Sequence, residues 1–164
     1  MNELYTIGYQ GASQQAVLHT LLSWHVQTLL DIRELPQSRK PGFSKTALGL
    51  AAAHDGIEYA NIRALGTPRD IRYRRKQDHD EDAFREGFLA YLATQDEAME
   101  ALVRRVQQEI CCLLCYEADA RACHRSFVAA RAVQMSGGTI HVVHLSVLEE
   151  SPGEINRTDA GRTA

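Results

Sequence analysis

The constraint that most limits how this chain can fold is the order of its apolar runs. Short, nearly continuous apolar stretches at 4–7, 28–32, 57–62, 110–115 and 139–144 are separated by longer segments with helical spacing. Runs of four to six apolar residues bounded by turn signals read as strands buried on both faces, and the intervening segments read as helices. Ser13 is placed to cap a helix over about 14–24, with Val17, Leu18, Leu21 and Leu22 as its apolar face. Ser44 is placed to cap a second helix through about residue 54, with Gly56 just beyond its end. Two more helices are expected over 82–94 and 96–108, and a last one from Cys123 or His124 to about 135. Residues 63–79 read as a long polar loop.

Strands alternating with helices imply βαβ units and a parallel sheet covered on both faces. The expected fold is therefore α/β: a single-domain three-layer sandwich with a mostly parallel sheet of about five strands, spanning 1–147. Residues 148–164, rich in Pro, Gly and polar residues, read as a disordered tail. With 45% hydrophobic and 24% charged residues, the composition excludes a coiled coil, a collagen or a disordered chain. The start of the sequence carries no basic and apolar leader, and no apolar stretch reaches membrane-spanning length, so the expectation is a cytoplasmic protein without a membrane partner.

In a parallel sheet, ligands bind beyond the carboxyl ends of the strands. Each unusual segment follows such an end: Gly8 to Gly11, Asp31 to Arg39, Arg63 to Arg75, and Tyr116 to Arg125. In the last of these, Cys123 is expected at a helix N-terminus, where the helix dipole with Arg125 and His124 would favour a thiolate. That makes Cys123 a candidate nucleophile, Glu117 a candidate general acid or base, and Arg125 and His124 candidate anion contacts. The structural reading of the same residues is a core cysteine, a helix cap and local ion pairs. Cys115, Cys123 and His124 are also a candidate metal set, although adjacent residues on a helix would diverge from one ion. Cys112 and Cys115 form a C-x-x-C string, but on a strand they face opposite sides, which argues against joint chelation. Cys111 and Cys112 read as core thiols.

Asp31 ends a strand next to Arg33, an arrangement shared by active sites and structural ion pairs. Ser38 and Arg39 could hold phosphate oxygens, and Gly8 with Tyr9 forms a Gly-rich turn that lacks a full nucleotide-binding spacing. The overall charge of −3 hides an asymmetry: residues 63–76 carry +5, and residues 77–100 carry −7. The basic segment, with Tyr73 inside it, is a candidate contact for a nucleotide or nucleic acid. No motif names a cofactor, so the cofactor stays unknown at this level.

Taken together, Thr6-Ile7-Gly8-Tyr9 with Gly11, Asp31-Ile32-Arg33 with Pro36, Ser38 and Arg39, Gly42-Phe43-Ser44, Tyr59, Leu65-Gly66, and Cys115-x-Glu117 with Cys123-His124-Arg125 resemble the domain of unknown function 488 family. The resemblance spans about residues 4–145. It implies a single α/β domain, and it implies that Asp31, Arg33, Arg39, Glu117, Cys123, His124 and Arg125 share one site. It implies no particular activity. The leading expectation is an enzyme acting on a phosphate-bearing substrate, with Arg residues on the anion, Asp31 or Glu117 moving a proton, and Cys123 as a low-pKa thiol. The alternatives are a non-catalytic nucleotide or nucleic-acid binding module, or a thiol-based metal or redox module.

Overall fold

A computed structural model describes residues 1–148; all of the expected tail after Leu148 lies outside the described residues. The expected strands form as β1 (Asn2–Gly8), β2 (Thr28–Asp31), β3 (Glu58–Asn61), β4 (Cys111–Cys115) and β5 (Ile140–His144). They make one five-stranded sheet in the order β3-β2-β4-β1-β5, with every pairing parallel. The helices are α1 (Gln14–Ser23), α2 (Lys45–His54), α3 (Arg69–Asp78), α4 (Glu81–Leu92), α5 (Asp96–Val106) and α6 (Arg125–Met135). No helix among the described residues is long and apolar enough to cross a membrane.

Alternating side chains divide the apolar interior into two layers, as a pleated strand requires. Tyr5, Ile7, Leu29, Cys112 and Leu114 pack against Val17, Leu18 and Leu21 of α1 and Leu48 and Ala52 of α2. Leu4, Leu30, Cys111 and Leu113 face the other way, onto Phe84, Phe88 and Leu92 of α4, Met99 and Leu102 of α5, and Val128 and Ala132 of α6. The architecture is a three-layer α/β sandwich. Ser13 caps α1 as its sequence position suggests, its hydroxyl accepting from the Ala16 amide at 3.0 Å. Ser44 precedes α2 but uses its hydroxyl elsewhere, on the backbone of Ser38.

The segment expected to be a loop over 63–79 is instead a short 3-10 turn (Arg63–Leu65) followed by helix α3. None of the α3 residues is buried, and Ile71 is the one aliphatic residue among its Arg, Lys, Asp and Gln. A helix with no apolar stripe leaves no periodic signal. It forms because it lies on α4, where the Arg75 guanidinium stacks 4.0 Å from the Phe84 ring centre and Ile71 meets the core under α4.

This topology sets the position of a site. The chain leaves β1 and β2 toward α1 and α2 on one face, and leaves β4, which lies between them in the sheet, toward α6 on the other. Loops that part to opposite faces open a crevice at the carboxyl ends of the strands.

Candidate functional site

The cleft at that point has a volume of about 750 Å³. Its floor carries Tyr9 from the end of β1, Arg33 after β2, and Cys115, Glu117 and His124 from the end of β4 and the turn beyond it. Its rim is supplied by Ser38 from the β2–α2 loop and by Arg72, Arg75 and Lys76 of α3.

Arg33 is fixed from behind. Its Nε donates to Asp31 Oδ1 at 2.8 Å, its Nη2 to Asp31 Oδ2 at 2.7 Å, and its Nη1 to the Tyr9 hydroxyl at 3.1 Å. Burial opposes its charge, but the Asp31 contacts outweigh that and push its pKa up. These contacts take three of its five N–H groups, and the Tyr59 hydroxyl also lies against the guanidinium. Asp31 itself is 0% exposed and does not line the cleft. Besides Arg33 it accepts from the Tyr59 hydroxyl at 2.5 Å, so its oxygens are fully used in orienting the arginine. The sequence leaves Asp31 open between a proton carrier and the partner of Arg33 in an ion pair, and its contacts are those of the pair. Tyr9 stacks flat on Phe43, their centres 4.4 Å apart, which anchors the hydroxyl that Arg33 reaches.

Three sequence assignments change with the geometry. Helix α6 begins at Arg125, not at Cys123. A 3-10 turn over Ala120–Ala122 precedes it, and Cys123 is extended (φ −127°, ψ 144°). The thiol therefore lacks the helix-terminal position that was to ionise it. It is buried away from the cleft, and burial pushes its pKa up rather than down. The cysteine that lines the cleft is Cys115.

Arg125, expected as an anion fork, is 0% exposed. Its Nε donates to Thr6 Oγ1 at 3.1 Å, its Nη2 to the Ala118 carbonyl at 3.1 Å, and its Nη1 to the Glu117 carbonyl. It ties the loop after β4 down onto β1, which is where Gly8 matters. A Cβ at Gly8 would stand 1.7 Å from the Glu117 carbonyl oxygen, so Gly8 serves close backbone packing and does not line the cleft. Arg39 is exposed, lies outside the cleft lining, and makes no ion pair among the described residues.

The third change is a convergence. Because Cys123 is extended and His124 begins the helical turn, their side chains do not diverge as neighbours on a helix would. His124 Nδ1 lies 3.4 Å from Cys115 Sγ and 3.8 Å from Cys123 Sγ. His124 Nε2 is 2.9 Å from the Ile32 carbonyl oxygen. A carbonyl can only accept, so Nε2 carries the proton and the Nδ1 lone pair faces the two sulfurs. Glu117 stands beside this group, its Oε2 3.6 Å from Cys115 Sγ and its Oε1 3.9 Å from Arg75.

The basic segment reaches the site through α3. Arg72 pairs with Glu34 at 2.8 Å, and Arg75 pairs with Glu81 at 2.8 Å and donates to the Ala122 carbonyl at 2.8 Å. Glu34, Glu81, Phe84 and Thr67 complete the cleft wall and were not singled out from the sequence. Glu34 directly follows the Asp31-Ile32-Arg33 motif, and that adjacency was the one signal available for it. The C-x-x-C string is split as its strand setting requires. Cys112 packs in the α1/α2 layer, whereas Cys115 meets His124 on the other side. All four cysteines are free thiols.

No curated protein and no solved structure matches the chain. The sequence profile described as Domain of unknown function DUF488 matches residues 13–132, most of the chain, including every site residue named above except Gly8 and Tyr9 at the end of β1. The protein belongs to the DUF488 family.

Proposed function

We propose that the protein is an enzyme acting on a phosphate-bearing substrate, a nucleotide or nucleic acid, bound in the cleft at the carboxyl ends of β1, β2 and β4. The observation that carries this reading is Arg33. A guanidinium pinned on one side by a fully buried carboxylate, and lining the cleft beside a Cys/His floor, suits the oxygens of a phosphate. Lys76 and Arg75 at the rim, and Ser38 opposite, add donors for further phosphate oxygens. Cys115 and His124 take the reactive position expected of Cys123. Glu117, at the cleft wall beside them, is the proton carrier.

A second reading, a binding module without turnover, draws on α3. Tyr73 is 62% exposed there, with exposed Arg69, Arg74 and Lys76 around it, a pattern suited to stacking on an unpaired base. The test is a turnover screen with nucleoside mono- and diphosphates, dinucleotides and short single-stranded oligonucleotides, products being read by phosphorus NMR. The proposal expects turnover of at least one class and a fall in kcat/KM of about 10- to 100-fold for Arg33→Gln, the size of a lost hydrogen bond to a charged group. Salt-sensitive binding with no turnover would favour the second reading. Neither turnover nor binding would end both.

A further inference from the structure

We propose that Cys115, Cys123 and His124 form a binding site for one thiophilic divalent metal ion, zinc in the first instance, with its fourth position open to the cleft. The site shares Cys115 and His124 with the substrate reading, and it is argued from the ligand set alone.

The three donor atoms lie within 4.8 Å of one another. A tetrahedral zinc ion with Zn–S of about 2.3 Å and Zn–N of about 2.0–2.1 Å holds its sulfur and nitrogen ligands roughly 3.5 Å apart. The observed Nδ1···Sγ separations are 3.4 and 3.8 Å. The imidazole therefore already stands from each sulfur at the spacing an ion imposes, and the two sulfurs lie within 4.8 Å of each other.

The orientation is set as well. A ligating imidazole is normally aimed by a hydrogen bond from its other nitrogen, often to a backbone carbonyl. His124 has that contact in the Ile32 carbonyl at 2.9 Å, which turns the Nδ1 lone pair to the sulfurs. Each donor is also held by different local backbone. Cys115 ends a central strand, Cys123 is the extended residue after a 3-10 turn, and His124 caps α6. Phe88 packs edge-on against the imidazole, with ring centres 5.3 Å apart.

The ligand chemistry selects the ion. Two sulfurs and one imidazole suit zinc and disfavour magnesium, calcium and manganese, which take oxygen donors. Two thiolates balance the double positive charge, so binding buries no net charge and releases the thiol protons. The described residues supply three ligands, and Cys115 and His124 both line the cleft. Three protein ligands with one open position is the pattern of reactive rather than purely structural zinc. Glu117, on the cleft side of Cys115, is the nearest group able to exchange a proton with whatever occupies that position.

The test uses the full chain, reduced and stripped of metal, titrated with Co²⁺ and then with Zn²⁺ in competition, with no phosphate compound present. The proposal expects one ion per chain, a thiolate-to-cobalt charge-transfer band that zinc abolishes, and release of about two protons per ion. Cys115→Ser and Cys123→Ser should each lose the band, while Cys112→Ser, on the opposite face of the sheet, should keep it. Zinc should also shield Cys115 and Cys123 of the wild-type protein from alkylation, a readout that does not depend on any variant folding. Folded wild-type protein that takes up no stoichiometric metal would overturn the site. So would cobalt binding that survives both substitutions, or a Cys115–Cys123 disulfide in protein kept under reductant. Metal uptake without phosphate binding would leave this site standing and remove the substrate reading, and the reverse result would do the opposite.

Discussion

Arg33 folds back onto Asp31, and the two make a bidentate pair with N···O distances of 2.8 and 2.7 Å in which both side chains are buried. The pair joins the end of β2 to the cleft floor and holds the Arg33 cation there. Removing one member of a buried pair leaves the other charge unsolvated, which costs about 3–5 kcal/mol. Asp31→Ala should therefore destabilise the protein by about that amount in urea unfolding and weaken anion binding as well. A loss below about 1 kcal/mol would mean that water, not Asp31, solvates Arg33.

Tyr59 donates to the same carboxylate, and burial first, then Asp31, push its hydroxyl pKa up from 10.0. Arg33, the other charge facing it, opposes this without reversing it. A group whose folded pKa is raised contributes stability that is fully present below its unfolded value, so this part should be lost as pH climbs above about 10. Tyr59→Phe removes the titrating group. Chemical denaturation from pH 8 to 11 should show the wild type losing stability more steeply than the variant at the alkaline end. Parallel curves would disconnect Tyr59 from Asp31.

Gly8 and Gly66 mark the two places where loops lie against each other with no room for a side chain. A Cβ at Gly66 would stand 2.2 Å from the Glu34 amide nitrogen, and one at Gly8 would stand 1.7 Å from the Glu117 carbonyl oxygen. In both cases the obstacle is backbone, which cannot rotate away. Gly8→Ala should therefore lower stability by at least the ~1–3 kcal/mol typical of overpacking, and should disturb Glu117 and Arg125 together. Thermal melting checks the first effect, and an unchanged melting temperature would contradict the observed packing.

The strands and five of the six helices were legible because each buries an apolar face whose period survives in the sequence, as at Val17, Leu18 and Leu21. Helix α3 was not, since Arg69 through Asp78 bury nothing and the helix is held by packing on Phe84 and by ion pairs that only the fold creates. That Arg33, Glu117 and His124 follow the carboxyl ends of neighbouring strands was legible from topology, but the cysteine read beside them was Cys123 rather than Cys115. Their individual roles were not legible. A Cys-His-Arg run before an apolar stretch reads as a helix start at Cys123 or His124, but the 3-10 turn ahead of it delays the helix to Arg125. That delay turns Cys123 inward toward Cys115 and turns Arg125 into a buried clamp on the Glu117 and Ala118 carbonyls. This phase decides which cysteine meets the cleft, and no local propensity encodes it.

In the proposed site, Arg33 and the His124 cluster form one ligand-binding floor. The most direct test follows the Arg33 Nε–Hε and His124 ring signals by nitrogen-detected NMR while a nucleoside monophosphate is added to the full chain. Both sets of signals should move together along one saturating curve, and Arg33→Gln should abolish the His124 response. Shifts confined to the exposed face of α3 around Tyr73, with Arg33 and His124 unmoved, would contradict it.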